Sequence, residues 1–225
     1  EVLTLNALLS GIVAADVFLM GFLISGVLGD YKEAERMPGE LAASLEVLGE
    51  EGESVFARSA SPRAPQFLER VEALGRALHA WFHKRERTGA VLDRLSELNG
   101  DFREFESLTE LAFILRMKQE QHAIRRALIR AHTIRETSFI GAGYRIAEWT
   151  TGLLVIALIL VRIDPFVESV FTVGVIVFML SYLIFLIRDL ENPFAYYIDH
   201  ASANVSLKPL EDCIARLESR RRGRQ

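Results

Sequence analysis

Three long stretches of the sequence are nearly free of charge, whereas the rest of the chain is crowded with charged residues. The first stretch runs from about Val2 to Leu28 and has one charged side chain, Asp16. The third, from Ser169 to Ile187, has none. At 1.5 Å per residue, a helix over either stretch crosses the ~30 Å hydrocarbon core of a bilayer. Because a soluble domain spreads its apolar residues with a helical or strand period, this segregation predicts an all-α integral membrane protein.

The second apolar stretch, from Trp149 to Val161, is shorter, and Arg145 and Glu148 lie just before it. A short polar link with a proline, residues 162–168, joins it to the third stretch, as is typical of two antiparallel helices. If the third stretch spans the membrane, the second must first bring the chain back across it. We therefore predict a polytopic membrane protein with at least three transmembrane helices.

Lysine and arginine residues predict the orientation, because they are enriched on the cytoplasmic side of membrane helices. Lys32 and Arg36 follow the first stretch and Arg188 follows the third, whereas the link on the opposite side has Arg162 alone. The predicted location is the inner (plasma) membrane. The predicted parts are a transmembrane helix (1–29), a cytoplasmic helical-bundle insert (30–139), a transmembrane hairpin (140–188) and a cytoplasmic C-terminal tail (189–225).

Helical spacing continues through the insert. Residues 31–49 extend the first membrane helix, and a concentration of Gly, Ser and Pro predicts a break between 49 and 65. The apolar spacing then predicts a helix over 66–88 and one long helix from near Phe102 toward the second stretch. Together these helices predict an antiparallel bundle. Because the chain starts with Glu1 rather than Met, we expect further sequence upstream.

The residues that carry chemistry are sparse. Cys213 is the single cysteine, so neither an internal disulfide nor a cysteine-pair metal site is predicted. His79 and His83 have a metal-ligand spacing, but the sequence around them lacks the glutamate of a zinc-protease helix. We predict no metal, no cofactor and no enzyme activity. The arginine-rich C-terminus is not interpreted as a nucleic-acid site because the insert is not basic. The predicted partners are the lipid bilayer, further copies of the chain and another membrane protein.

Asp16 is the first candidate for a functional site. A carboxylate in the middle of a membrane helix costs several kcal/mol unless it faces protein, water or a cation, or is protonated. It either lines an ion path or is a hydrogen-bonded packing residue, and the sequence does not decide between the two. Asn6 lies roughly 80° away around the same helix, so the two side chains share a polar flank.

Two further groups of residues lie near the helix ends. Arg145 and Glu148 are three residues apart and form either an interfacial ion pair or part of a charged ring at a pore mouth. Gly21, Ser25 and Gly29 recur at every fourth residue, which puts small side chains on one stripe. Such a stripe lets another helix approach closely.

Two motifs carry a resemblance to a known family. The first is the helix exit DYKEAER at 30–36, followed by ELAASL at 40–45. The second is DLENPF, with Asp189, Asn192, Pro193 and Phe194, followed by VSLKP at 205–209. With the order helix, insert, hairpin and tail, these motifs resemble the bestrophin-like family of poorly characterised bacterial membrane proteins, whose members usually carry one more N-terminal membrane helix.

The resemblance implies a channel related to bestrophins, which are oligomeric anion channels. In bestrophins an Asn-Pro-Phe element precedes an acidic calcium-binding run, but the residues after Phe194 do not supply one. We therefore predict an oligomeric ion channel whose pore forms where the first helices of several subunits meet. Asn6, Asp16, Arg145 and Glu148 are its candidate lining or gating residues.

Two alternatives remain open. A stator-type proton-channel subunit has the same order of parts, and Thr150, Thr151 and Thr172 supply hydroxyl groups for a proton path. Such a subunit requires a partner helix with an acidic residue. The other alternative is a non-conducting scaffold or accessory subunit of a larger membrane complex.

Overall fold

The computed structural model describes residues 7–59, 63–136, 141–160, 166–196 and 204–222, and in these residues it contains helices and no strand. The predicted all-α fold class is therefore confirmed for the described part of the chain. The helices are α1 (Ala7–Ser59), α2 (Arg63–Phe82), α3 (Thr88–Phe105), α4 (Leu111–Glu136), α5 (Gly141–Leu160), α6 (Phe166–Glu191) and α7 (Lys208–Arg222).

The chain divides into two compact units, and α1 contributes to both. The apolar unit comprises residues 1–32 and 137–192, and the polar unit comprises residues 33–136 and 193–225. Residues 31–49 continue the first helix, as predicted, with Pro38 inside it. The assignment of the four predicted parts to the two sides of a membrane stays a prediction.

The apolar unit is held together by side chains from three helices. Met20, Leu23 and Val27 of α1 pack in one cluster with Ala147 of α5 and Ile187 of α6. A second cluster brings together Leu154 and Leu158 of α5 with Leu180 of α6, and Val13 of α1 packs against it. The buried positions of α1 recur every three or four residues, so one side of that helix faces α5 and α6.

The outer surface of the apolar unit is also apolar. Exposed large side chains include Trp149, Leu153, Phe171 and Phe178. A contiguous surface of this kind is stable against lipid and unstable in water. Both α1 and α6 contain a stretch long and apolar enough to cross a membrane. The predictions that α5 is a third span and that the insert is cytoplasmic remain predictions.

Two predicted helix boundaries in the polar unit are wrong. The break expected over 49–65 does not begin at Gly49, because α1 continues through Gly49 and Gly52 to Ser59. The long helix expected from Phe102 is two helices, α3 and α4. Leu108 N and Thr109 N both donate to Phe105 O, at 2.9 and 3.0 Å, and so end α3 in a tight turn. The apolar spacing runs through this turn, and therefore did not reveal it.

Glycines inside α1 and α2 have a packing role, which explains why glycine occurs in α1 without ending the helix. A Cβ on Gly49 would meet Leu217 of α7 at 2.8 Å, and a Cβ on Gly75 would meet Ile214 of α7 at 3.1 Å. These glycines let α7 lie close to α1 and α2. The Cys213 thiol is fully buried there and donates to Ala42 O at 3.4 Å. Burial raises the pKa of this thiol to about 12.

Buried carboxylates of the polar unit are paired with arginines from neighbouring helices. Arg116 Nη1 of α4 lies 2.6 Å from Glu51 Oε1 of α1. Arg70 Nη1 of α2 lies 2.8 Å from Asp101 Oδ1 of α3. Burial raises the pKa of Asp101, and the hydrogen bond from Arg70 opposes that effect. These pairs fix the relative positions of the helices because removing one partner would strand a buried charge.

The close approach at Gly52 gives a testable prediction. A Cβ on Gly52 would lie 2.7 Å from Cδ1 of the Phe67 ring, whereas nothing lies within 4 Å of a Cβ on Gly100 of α3. We expect Gly52→Ala to lower the free energy of unfolding by about 1–3 kcal/mol, because the ring must move in a packed core. Gly100→Ala should raise it by up to about 1 kcal/mol through helix propensity. Thermal unfolding of the purified protein in detergent measures both, and equal shifts would contradict the packing assigned to Gly52.

Candidate functional site

Asp16 of α1 lies against α5, and both of its carboxylate oxygens accept hydrogen bonds. Thr150 Oγ1 lies 2.8 Å from Oδ1, and Thr151 Oγ1 lies 2.9 Å from Oδ2. The side chains are withdrawn from the surface, since Asp16 is 5% exposed and Thr151 is 3% exposed. The structure thus gives this carboxylate two hydroxyl donors, which offset the cost of burying it among apolar helices.

The two threonines are not equivalent. Thr150 Oγ1 also lies 3.1 Å from Ala147 O, one turn back in α5. A hydroxyl has a single proton, so Thr150 donates either to the carboxylate or to its own helix. Thr151 is the more buried of the two. We therefore assign the main role in holding Asp16 to Thr151, with Thr150 as a donor that can exchange partners.

Asp16 lies on the side of α1 that is sealed within the apolar unit. Its neighbours along that side, Met20, Leu23 and Val27, are buried against α5 and α6. The opposite side of α1 carries Phe18 and Phe22, which are 77% and 59% exposed. At 100° per residue these two phenylalanines lie well away from the carboxylate. An ion path along the exposed side of α1 would therefore not meet Asp16 directly.

The small-residue stripe also lies on the exposed side of α1. Gly21, Ser25 and Gly29 are exposed, and nothing lies within 4 Å of a Cβ built on either glycine. The predicted close contact of this stripe with another helix is not made by the described part of this chain. If the contact is made, either a part of the protein outside the described residues or a separate molecule provides it.

Arg188 of α6, which the sequence analysis did not associate with the site, contacts Glu148 of α5. It thereby ties the two helices together near one end of the apolar unit. Arg145 is exposed. Asn6 lies outside the described residues. Of the four predicted lining or gating residues, the structure therefore gives contacts for Asp16 and Glu148, and in both cases the contact is with another helix of the same chain.

The DLENPF motif marks the passage from α6 into the polar unit. α6 ends at Glu191, directly before Asn192 and Pro193, because the residue before a proline disfavours the helical conformation. Pro193 O then accepts a hydrogen bond from Val205 N at 3.0 Å. Phe194 is fully buried, with its ring 5.2 Å from that of Phe82. The motif therefore anchors the start of the tail in the core of the polar unit, and Asp189 lies in the last turn of α6.

The described residues contain no cluster of three His, Cys, Asp or Glu side chains that suits a metal ion. The rings of His79 and His83 are in contact, tilted at 40° with centroids 4.6 Å apart, and His79 Nε2 lies 3.1 Å from Glu211 Oε1 of α7. This geometry is that of a packed, hydrogen-bonded pair at the contact between α2 and α7.

Comparisons with known proteins identify the fold. No family model matches the chain, and no curated protein matches its sequence. Solved structures do match. One crystal structure of a variant bestrophin homologue from Klebsiella pneumoniae has a TM-score of 0.82 at 16% identity, over 98% of this chain and 88% of that chain. Another variant of that homologue gives a TM-score of 0.80 at 15% identity, over 99% of this chain and 89% of that chain. The resemblance predicted from the sequence is thus confirmed at the level of the fold.

The hydrogen bond from Thr151 can be tested by an isosteric change. Thr151→Val removes the hydroxyl that donates to Asp16 Oδ2 and leaves this buried carboxylate oxygen without that hydrogen bond. We expect the free energy of unfolding to fall by about 1–3 kcal/mol. Thr172→Val makes the same chemical change at an exposed position of α6 and should alter stability by less than about 0.5 kcal/mol. Thermal or denaturant unfolding in detergent measures the difference, and similar stabilities of the two variants would refute the role of Thr151.

Proposed function

Because the chain has the fold of the bacterial bestrophin homologues, we propose that it is an oligomeric, channel-like protein of the bacterial inner membrane. The resemblance to bestrophins implies that anions are conducted. The proposal rests on one observation above all, which is the division of α1 into a sealed side and an open side.

The open side of α1 has the composition expected for a helix that meets copies of itself around a central path. Small residues at Gly21, Ser25 and Gly29 permit close approach between helices. Phe18 and Phe22 supply large apolar side chains, and rings of such side chains form constrictions that gate by excluding water. In the proposed assembly these phenylalanines narrow the path, and the small residues bring the helices together.

Asp16 has an indirect role in this proposal. Its carboxylate faces α5, where two threonine hydroxyls hold it, so it fixes the rotation of α1 about its own axis. That rotation decides which residues face the path. Arg145 and Glu148 lie near the end of the apolar unit, and we propose that Glu148, paired with Arg188, holds α5 and α6 in register there.

The proposed topology has α1, α5 and α6 crossing the membrane, with the insert (30–139) and the tail (189–225) in the cytoplasm. The distribution of lysine and arginine supports this orientation. Packing of the tail helix α7 onto α1 and α2 supports it further, because the insert and the tail then belong to one folded unit on one side.

A stator-type proton channel is the second candidate, favoured by the Asp16 cluster alone. Such a channel needs a carboxylate and hydroxyl groups along its path, and Thr150 and Thr151 lie within hydrogen-bond distance of Asp16. The non-conducting scaffold is the third. Ion flux separates the three: an anion current supports the first, a proton current abolished by Asp16→Asn supports the second, and the absence of any flux supports the third.

The constriction is tested by widening it. Purified protein is reconstituted into liposomes, and chloride efflux is measured with an ion-selective electrode. We expect Phe18→Ala and Phe22→Ala to raise the efflux rate severalfold, because a smaller side chain leaves the path wetted. Phe171→Ala and Phe178→Ala remove equally exposed rings from α6 and should leave the rate unchanged. The channel proposal fails if chloride, other anions and cations all show no flux over a range of voltages.

The proposed meeting of α1 helices predicts cross-linking between copies. Ser25→Cys places a thiol on the open side of α1, and we expect it to form disulfide-linked dimers in membranes under mild oxidation. Cys213 gives no background because it is buried. Thr172→Cys is the control, since it places an exposed thiol on α6 instead. Gel electrophoresis without reductant measures the linked fraction, and equal cross-linking of both variants would exclude a specific contact through α1.

A further inference from the structure

A groove with arginines on both walls lies in the polar unit between α1 and α4. Its α1 wall is made by residues 33–40 and its α4 wall by residues 123–130. The volume is about 580 Å³, within the range of sites for small organic ligands. The floor is made by small or apolar side chains, namely Met37, Ala123 and Ala127. The groove is thus open at its centre and charged at its rims.

One ion pair links the two walls. Arg130 of α4 donates two hydrogen bonds to the carboxylate of Glu33 of α1, at 2.8 Å from Nε to Oε1 and 2.5 Å from Nη2 to Oε2. This hydrogen bonding lowers the pKa of Glu33 and so favours its charged form. The pair joins the two walls of the groove, and the charges of Arg130 and Glu33 largely cancel.

The other two arginines of the groove have no acidic partner among the described residues. Arg36 and Arg126 are exposed and line opposite walls, and neither makes an ion pair within the described residues. Arg126 also lies four residues before Arg130 on the same face of α4, an arrangement that destabilises an isolated helix. Glu40 is the one remaining acid in the lining. Two free guanidinium groups therefore face each other across an apolar floor, with a carboxylate at one end.

We propose that this groove binds a phosphate ester, with the phosphate held between Arg36 and Arg126 and a hydroxyl or ammonium group of the ligand directed at Glu40. Guanidinium groups present planar pairs of donors that match phosphate oxygens. A carboxylate beside them selects for a ligand that also carries a donor, as a glycerol or ethanolamine phosphate does. The same chemistry occurs in a phospholipid headgroup and in a soluble metabolite.

The position of the groove along α1 is compatible with both sources. Arg36 lies eight residues beyond Leu28, a rise of about 12 Å at 1.5 Å per residue. The headgroup layer extends only about 5–8 Å beyond the hydrocarbon, so a lipid phosphate reaches the groove through the length of the arginine side chains, whereas a soluble ester enters it from the aqueous phase. A bound phosphate would bridge α1 and α4. The inference concerns binding alone and does not depend on whether the protein conducts ions.

The test measures binding by the full chain. Soluble binding is measured in detergent by calorimetry with inorganic phosphate and with glycerol 3-phosphate as probes. Lipid binding is measured by native mass spectrometry of protein released from nanodiscs that contain equal parts of phosphatidylglycerol and phosphatidylcholine. We expect Arg36→Gln/Arg126→Gln to weaken binding at least tenfold, since each charge-assisted hydrogen bond contributes about that factor. Glu40→Gln should tighten the binding of inorganic phosphate, because it removes a repelling charge.

The matched control is Arg85→Gln/Arg103→Gln, which removes two exposed arginines from positions outside the groove. It should retain the affinity of the unaltered protein. Binding of the soluble probes identifies a soluble ester as the source, and selective retention of phosphatidylglycerol alone identifies the headgroup. Either outcome supports binding in the groove, provided that Arg36→Gln/Arg126→Gln loses this binding and the control variant retains it. If no probe binds, or if the control variant loses as much affinity as the groove variant, the proposal is overturned. Glu40→Gln is expected to tighten phosphate binding, and a misfolded variant could not do so, so this result separates an effect on the groove from an effect on folding.

Discussion

The lack of water in a bilayer constrains this structure more than any single contact does. Backbone groups in hydrocarbon must bond within their own helix, and polar side chains there must find partners in the protein. α1 meets both conditions at once, with its outward surface apolar and its one carboxylate turned inward to two hydroxyls on α5. Since one turned-in carboxylate fixes how α1 faces its neighbours, it also fixes which side of the helix remains open.

The second part of α1 follows different rules. Beyond residue 32 it belongs to the polar unit, where its buried positions face α2, α4 and α7 and its carboxylates pair with arginines of those helices. Glu33 pairs with Arg130, Glu51 with Arg116 and Glu46 with Arg216. The two exposed pairs contribute little individually, whereas loss of Arg116 would strand the buried carboxylate of Glu51. Repeated along one helix, such pairs specify which helix lies where, while Gly49 and Gly52 set how closely the helices pack.

The sequence predicted the fold class and the family resemblance well, because both depend on patterns that a single chain displays. Charge-free stretches identify membrane helices, and DLENPF identifies the end of α6. The turn at 106–110 was missed because apolar residues continue in helical spacing across it. The continuation of α1 through Gly49 and Gly52 was missed because a glycine that admits a neighbouring side chain looks the same, in sequence, as one that ends a helix.

The site was predicted in part for a similar reason. Asp16 was conspicuous as a lone charge, but its direction depends on Thr150 and Thr151, which lie more than 130 residues away along the chain. Arg188 was regarded as a topological marker, and its contact with Glu148 requires knowing that α5 and α6 pack side by side. A sequence shows which residues are costly to bury, and the partners that offset the cost appear only in the folded chain.

The polar unit is built from two separate pieces of chain, 33–136 and 193–225, with the apolar helices α5 and α6 between them. Synthesis therefore delivers α1 to α4 first, and the surfaces of α1 and α2 that α7 covers at Gly49 and Gly75 stay exposed until α7 has been made. α5 and α6 are synthesised in between. Completion of the polar unit therefore waits for a helix that is made after the whole apolar unit, and a chain that stops before α7 leaves Gly49 of α1 and Gly75 of α2 without the side chains that cover them.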